Sequence, residues 1–280
     1  MGLGLLTNVV SLEAQRYVRQ TENALSSNLS RLASGLRIVH PGDDPAGLSI
    51  GSRLAAQLDG LQQAQSNAGQ SLGLVQTADS GLSDISLLLT RMQELALQAS
   101  NGGTLSPTDL GALNTEFSSL QAEVTRVVGA TSYNGQNLID GSLSSGVNFQ
   151  VGPNNGSGNQ ISFALSSASA NTLGVNTGQI DIINQADAQG AITALNTAIG
   201  AIANLRTNVG AADLRLESAQ NNLASRYTTL AAAHSRITDV DVAAETVSMT
   251  SNSILLRAGL AVLAQANQQP GFLLSLFSSH

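Results

Sequence analysis

The sequence predicts a mainly α fold: an elongated antiparallel coiled-coil bundle of helices with a small β-hairpin region at its distal end. Three observations carry this. Apolar residues return in a 4-3 rhythm through most of the chain, the spacing that keeps one stripe of a helix turned to a partner. Helix breakers are clustered, at 40–45, 101–107, 129–185 and 270–271. Aromatic residues make up 3% of the 280 and tryptophan is absent, so the interior must be built from Ala, Leu and Val in thin helical layers.

Composition excludes several functions. Cysteine is absent, which removes disulfides and thiolate chemistry. All twelve basic residues are arginine, and the formal charge of −7 argues against nucleic acid. No run of 18 apolar residues occurs, so no membrane span is expected. The start, MGLGLLTNVVSLEAQR, has no basic n-region and no small-residue cleavage site, so it does not read as a secretory signal peptide. Export, if it occurs, would use a route that leaves this end intact.

The chain pivots on Leu32–Ile50, LASGLRIVHPGDDPAGLSI. Before it, Leu25, Leu29, Leu32 and Leu36 step by four, three and four, a heptad seam in a helix that begins near Leu12. A helix with so narrow a stripe is marginal without a partner. His40, Pro41, Gly42, Asp43, Asp44 and Pro45 then form a turn, and the helix is expected to stop near Ile38 or Val39. Asp43 or Asp44 caps the next helix, with Pro45 in its first turn.

That next helix is expected over 46–100. Leu54, Leu58, Leu61, Ala68, Leu72 and Val75 hold one frame, which shifts near Asp79 and resumes at Leu82, Ile85, Leu89, Met92 and Ala96. Asn101-Gly102-Gly103 ends it. Ser106 caps and Pro107 opens a helix over 106–128 whose seam is Leu113, Phe117, Leu120, Val124 and Val127. The short connection makes these two helices antiparallel neighbours.

Residues 129–185 differ in kind, being rich in Gly, Ser and Asn. Val147, Phe149 and Val151 alternate, as do Ile161, Phe163 and Leu165, around the glycine-rich 152–159, which reads as a β-hairpin. Helix returns over 186–237 with Leu205, Val209, Ala212, Leu216, Ala219, Leu223, Tyr227 and Leu230 in seam. Asp239 and Asp241 mark a break. A last helix from Val242 to about Asn267 carries Ile254, Leu255, Leu260, Val262 and Leu263, and Pro270-Gly271 is expected to stop it before an apolar tail at 272–277. The terminal helices should pair, the long helices bundle and the middle cap the far end. The domains follow: 1–45 and 240–280 as the two parts of one inner domain, and 46–239 as a rod.

No catalytic machinery is expected. His40, His234 and His280 are far apart in sequence, and His234 follows Leu230 on a helical seam, where a packed histidine is the ordinary reading. There is no HExxH, and the glycine-rich 152–159 lacks the lysine of a phosphate loop. No cofactor and no metal are expected.

The pattern resembles bacterial flagellin. Leu32-Ala33-Ser34-Gly35-Leu36-Arg37-Ile38 with Asp43-Asp44-Pro45-Ala46-Gly47-Leu48 is similar to the family's LSSGLRI…DDAAG, and Arg91–Gln98 to its RVRELAVQ. Tyr133-Asn134-Gly135, Phe149-Gln150-Val151-Gly152, Ser235–Glu245 and Leu263–Gln268 resemble further family segments in family order. The resemblance implies a secreted, extracellular filament subunit for swimming motility, not an enzyme. Its termini would form the inner layer of a tube, and outer variable domains are missing. Implied partners are other copies of the chain, the flagellar export apparatus and an export chaperone, and hook–filament junction and cap proteins. It also implies that Arg91, Leu95 and Glu116 pack against the next subunit and meet the flagellin-sensing Toll-like receptor in free monomers. The terminal helices are expected to be disordered in the monomer.

Departures from the family pattern are MGLGLLTN at the start, His40-Pro41-Gly42 in the turn, Thr90 and Gln93 beside the receptor surface, and Phe272, Phe277 and Ser278–His280 at the end. They leave a specialised flagellin or a hook–filament junction relative open, and a surface adhesin is a separate alternative. Serines and threonines in 142–177 offer O-glycosylation sites, and the absence of lysine excludes lysine methylation.

Overall fold

A computed structural model describes residues 7–101 and 103–278, the side chains of 269–278 excepted. Five helices carry most of the chain: α1 (Val9–Ser34), α2 (Pro45–Ala99), α3 (Pro107–Ala130), α4 (Gln185–Thr238) and α5 (Val242–Ser278). Two small antiparallel ladders lie between α3 and α4: β1 (Ser132–Tyr133) with β2 (Gln136–Asn137), and β3 (Val147–Gln150) with β4 (Gln160–Phe163). The chain forms two compact units, one holding residues up to Ala56 and from Thr229, the other Gln57–Thr228.

In the first unit α1 and α5 run antiparallel. Their touching stripes step by three and four throughout: Ser11, Ala14, Val18, Thr21, Leu25, Asn28 and Leu32 on α1, and Glu245, Met249, Asn252, Leu256, Gly259, Leu263 and Ala266 on α5, all buried or half-buried. The facing stripe is therefore not the all-leucine set read from spacing. Asn28 takes the inward place, and Leu29 and Leu36 are exposed. The leucines at 25, 29, 32 and 36 do share a 4-3 rhythm, but spacing alone does not say which edge of that stripe faces the neighbour.

Two helix ends differ from expectation. α1 stops at Ser34, because Gly35 takes the left-handed conformation (φ 72°) and its N–H donates to the Arg31 carbonyl. The following residues are used elsewhere: Leu36 bridges Asp239, and the Arg37 N–H donates to the Thr238 carbonyl at 2.7 Å. At the other end, α5 does not stop at Pro270 but continues to Ser278. A proline inside a helix leaves the carbonyl four residues back without its N–H. Here that carbonyl belongs to Ala266, and the Asn8 side-chain amide donates to it at 2.8 Å. The orphan is satisfied from α1, so the helix survives the proline. The side chains of the apolar tail, including Phe272 and Phe277, and the residues at both extreme ends, MGLGLL and Ser279–His280, lie outside the described residues.

α2 begins as its sequence suggests. Asp44 accepts from the Gly47 N–H at 2.8 Å, and Pro45 takes the first helical position, where no N–H is needed. In the second unit the buried stripe of α2 runs unbroken through Leu61, Ala64, Ala68, Ser71, Val75, Ala78, Leu82, Ile85, Leu89, Met92, Ala96 and Ala99. The frame shift expected near Asp79 does not occur, because Ala78 carries the stripe across. Opposite it, α4 buries Ala188, Ala191, Leu195, Ala198, Ile202, Leu205, Val209, Ala212 and Leu216 on the same steps. α3 adds Phe117, Val124, Val127 and Val128. Its start is a capping box, in which Ser106 and Asp109 satisfy each other's backbone N–H groups.

The middle segment packs into the same core as the helices of its unit. β3 and β4 pair with Phe149 opposite Ile161, and Phe149 stacks on Phe163 with centroids 5.9 Å apart. Leu138, Ile139, Leu143, Leu165, Leu173, Val175 and Ile182 are buried in that core. The β1–β2 ladder turns at Asn134-Gly135, both at positive φ, which is the Asn-Gly signature of a tight hairpin.

Candidate assembly surfaces

The α1–α5 pair carries many apolar residues on its outer side, among charged ones such as Glu13, Arg16, Arg19 and Arg257. Its inward stripe carries Ser11, Thr21, Asn28, Glu245 and Asn252, whereas Val9, Leu12, Tyr17, Leu29, Val247, Ile254, Leu255, Leu260 and Val262 are exposed. Of the terminal residues singled out from sequence, Leu25, Leu32 and Leu263 are half-buried between the helices. Leu29, Leu36, Ile254, Leu255 and Leu260 face outward, with Ile254 62% and Leu255 55% exposed. So much exposed apolar surface marks a place where something binds. The segment Val242–Gln268 is also long and apolar enough to cross a membrane, its most apolar window averaging a mean hydropathy of 1.3. That average is reached with Ser, Thr and Asn interspersed, which is why no continuous apolar run shows in the sequence.

The turn between α1 and α2 is held by its aspartates. Asp43 accepts the N–H groups of His40 at 2.9 Å and Val39 at 3.1 Å, with Arg31 at 3.5 Å. These backbone bonds hold its carboxyl below the usual carboxylate range. Pro41 and Gly42 form the exposed corner of that loop. Arg37 reaches the end of α4 and donates through Nε and Nη2 to the Ile237 carbonyl, at 3.0 and 2.7 Å, which caps the helix with a positive charge. Beside it Asp239 accepts from Thr238 Oγ1 at 2.9 Å, and its carboxyl is held low by the Ser235 and Thr238 side chains. His234 is half-buried in the same turn, its Nδ1 3.3 Å from Thr238 Oγ1.

On the second unit Arg91 and Glu116 meet as expected for antiparallel α2 and α3. Arg91 Nη2 lies 2.8 Å and Nε 3.1 Å from Glu116 Oε1, and Nη1 lies 3.0 Å from Glu94. Glu116, then Glu94, raise the guanidinium pKa further. Leu95 does not join this surface. It is 1% exposed and points into the core with Met92 and Phe117. One helical turn is 3.6 residues, so positions 91 and 95 are not in line. The long arginine arm reaches solvent from the edge of the buried stripe, and the leucine falls inside it. The exposed leucine one turn from Arg91 is Leu87, 69% exposed, a residue the sequence reading did not single out. Gln93 turns toward α4, its amide donating to Asn196 Oδ1 at 2.7 Å. Thr90 donates to its own helix at the Ser86 carbonyl.

Among the described residues no group of His, Asp and Glu is placed to hold a metal ion. The hairpin is braced on α2 by side-chain amides, with Asn67 donating to the Gln150 carbonyl at 3.3 Å.

Comparison with known proteins gives one consistent result. Residues 5–143 match the bacterial flagellin N-terminal helical region, and residues 192–277 match the bacterial flagellin C-terminal helical region. A flagellin of Halalkalibacterium halodurans is 38% identical over 269 residues, covering 96% of this chain and 97% of that protein. A flagellin of Bacillus subtilis is 34% identical over 300 residues, covering 96% and 98%. The crystal structure of Bacillus cereus flagellin is similar at a TM-score of 0.50 and 32% identity, over 60% of this chain and 94% of that one. A putative flagellar hook-associated protein from Vibrio parahaemolyticus shares the fold at a TM-score of 0.58 and 16% identity, over 70% of this chain and all of that one.

Proposed function

The chain belongs to the bacterial flagellin family, a family of filament-forming structural proteins, and we propose that it is exported and polymerises outside the cell as a subunit of the flagellar filament that drives swimming. The observation that carries this reading is the outward apolar face of the α1–α5 pair. Burying one leucine contributes roughly 1.5–3 kcal/mol. Leu29, Leu36, Ile254, Leu255 and Leu260 are exposed in the single chain, so a few such contacts repeated between copies are enough to drive association. Residues 1–45 and 240–280 then act as the inner assembly domain and 46–239 as the rod.

The work of the protein in this reading is mechanical, and no step of it is enzymatic. The filament it builds is a thin, smooth one, since no outer domain follows the hairpin. Other partners follow from the role: the export apparatus, a chaperone that holds α5 before export, and the junction and cap proteins at the filament ends. The Arg91–Glu116 surface is the proposed axial contact between subunits and the proposed contact for the flagellin-sensing Toll-like receptor. Leu95 supports that surface from beneath rather than touching a partner.

Electron microscopy of the purified full-length chain after adding precipitant or seeds, beside a chain lacking 1–45 and 240–280, tests the central claim. Long filaments are expected from the full-length chain alone. Unassembled protein under every condition, or filaments from the truncated chain, would overturn it and favour a surface adhesin.

A further inference from the structure

We propose that the register of the α1–α5 pairing is set by a bonded group of polar residues inside its seam, Asn28, Asn252 and Glu245, and not by the apolar residues of the two helices. Asn28 is 7% exposed. Its amide donates to Glu245 Oε1 at 2.7 Å, and its carbonyl oxygen accepts from the Asn252 amide at 2.9 Å. Both of its polar atoms are used, each by a different turn of α5. Arg31 stands beside them, 3.9 Å from Glu245 and 3.5 Å from Asp43, with its Nε buried and unbonded.

The apolar part of the seam cannot choose a register. Val18, Leu25 and Leu32 recur every seven residues on α1, and Met249, Leu256 and Leu263 do so on α5. Sliding one helix by a heptad, about 10 Å, sets branched residues against branched residues again. The polar group does not survive that slide. In one direction Asn28 moves toward Gly259, and Glu245 is carried past Ser34, where α1 ends, away from its donor. In the other it moves past Val242, where α5 begins. An isolated charge or amide in a packed seam loses more than a leucine contact gains. Gly259 adds a steric element, since a Cβ there would stand 3.0 Å from Val18 Cγ2, and a heptad slide would bring Asn252 or Ala266 to that spot. At the far end Ser11 Oγ donates to Asn267 Oδ1 at 2.7 Å, a contact that holds only in the same alignment.

The inference rests on the proposed role of this pair in assembly, because one alignment presents one outer apolar face. With leucine at 28 and 252 the seam would be greasier and less particular. Neighbouring copies would then meet two different faces.

The absence of cysteine makes the test direct. Full-length chains carry either Val18→Cys with Gly259→Cys, which face each other in the observed register, or Val18→Cys with Ala266→Cys, one heptad away. Disulfide closure is followed under mild oxidation in assembling conditions, and filament growth is scored separately by microscopy. With Asn28 and Asn252 in place, the first pair is expected to close about tenfold faster than the second, corresponding to ~1.4 kcal/mol of register preference. With Asn28→Leu and Asn252→Leu that ratio is expected to fall toward one. Thr21→Leu serves as the control: Thr21 sits in the same stripe but bonds only its own helix, at the Tyr17 carbonyl. It should leave the ratio near its original value. An unchanged ratio in the double-leucine chain, or an equal loss with Thr21→Leu, overturns the proposal. Chains that cross-link in register yet never form filaments would support this inference while counting against the filament reading. If the double-leucine chain fails to cross-link at either pair while Thr21→Leu behaves normally, the polar group holds the helices together rather than choosing among alignments, and the proposal is overturned.

Discussion

Along α2 and α4 the stripe that steps by three and four is buried from Leu61 to Ala99 and from Ala188 to Leu216, and Ser71 is its only polar member. Along α1 and α5 the same stepping carries Ser11, Thr21, Asn28, Glu245 and Asn252, and much of the apolar surface points away from it. The second unit buries most of its large hydrophobic residues within itself, with Leu87, Leu97, Ile183 and Leu214 as exposed exceptions. The first turns many of them outward and holds its own helices together with hydrogen bonds as well as packing. Net hydrogen bonds are weak and directional, whereas apolar burial is strong and indifferent to direction. A unit built the first way is well aligned and weakly held until a neighbour covers it.

The largest effect should separate the two units. Phe117 is fully buried, so Phe117→Ala is expected to cost ~3–5 kcal/mol and to lower the urea midpoint of the monomer sharply. Ile254→Ala with Leu255→Ala removes more apolar surface in total but should leave that midpoint where it was and stop filament growth from seeds. If the α5 pair unfolds the monomer as readily as Phe117→Ala, the contrast between the units is lost.

That contrast was only half legible in the sequence. Helix existence, the Ser106-Pro107 start, the hairpin at Phe149 and Ile161 and the antiparallel α2–α3 pairing all follow from local rules that the fold obeys. The misjudged features depend on a second chain segment. Gly35 ends α1 early while Arg37 and Leu36 bond across to the end of α4. Pro270 fails to end α5 because Asn8, at the other end of the chain, answers the Ala266 carbonyl. Asn28 has no local signal of its place in the seam, which depends on Glu245 and Asn252 from α5. At the Arg91 surface a four-residue spacing does not say on which side of Arg91 the buried stripe lies, and it lies on the side of Leu95, leaving Leu87 exposed. Asn134-Gly135, inside a motif of the resemblance, is also the local turn signal of the β1–β2 ladder.

The Asn8 contact gives the next largest effect. Leaving a buried carbonyl unpaired costs ~1–3 kcal/mol. Asn8→Ala should therefore lower the urea midpoint of filament dissociation. In a Pro270→Ala background the helix supplies its own N–H at 270, and the same Asn8→Ala change should then do less harm. Equal losses in both backgrounds would mean that Asn8 acts only as the N-cap of α1, where it accepts from the Ser11 N–H at 3.0 Å.

The Arg91 surface lies on the unit that is already self-sufficient, so changes there should spare stability and alter contacts. Arg91→Ala is expected to leave the monomer's urea midpoint unchanged, since both arginine and Glu116 are about half exposed and their pairing is screened. The same change should weaken activation of the flagellin-sensing Toll-like receptor in a reporter-cell assay by at least about tenfold, the loss expected for a charged residue at a contact centre. Leu95→Ala should do the reverse to the monomer and lower its midpoint, because that side chain packs the core. A receptor response unmoved by Arg91→Ala would remove this surface from the proposed contacts.

The smallest effect concerns acid, and it bears on the polar unit. Asp43 is held below its ordinary pKa by the His40 and Val39 N–H groups, with Arg31 adding to the effect. A carboxyl whose pKa is lower folded than unfolded binds fewer protons in the folded state. Its stabilisation is complete above the unfolded value of about 3.9 and is lost as pH falls through the lowered folded value. Asp109 and Asp140 in the other unit are held low as well, by Ser106 and Ser142, so an acid limb by itself identifies no residue. The informative quantity is the difference between wild-type and Asp43→Asn filaments, followed by light scattering as they dissociate in urea from about pH 6 to about pH 2. Asparagine still accepts a hydrogen bond but carries no charge, so the variant should dissociate earlier at the upper end of the range. The two curves should converge at the lower end, where Asp43 is itself protonated. A gap that stays constant down to the lowest pH would assign the loss to the shape of the turn rather than to the carboxylate, and the acid sensitivity of the α1–α2 turn would have to come from another group.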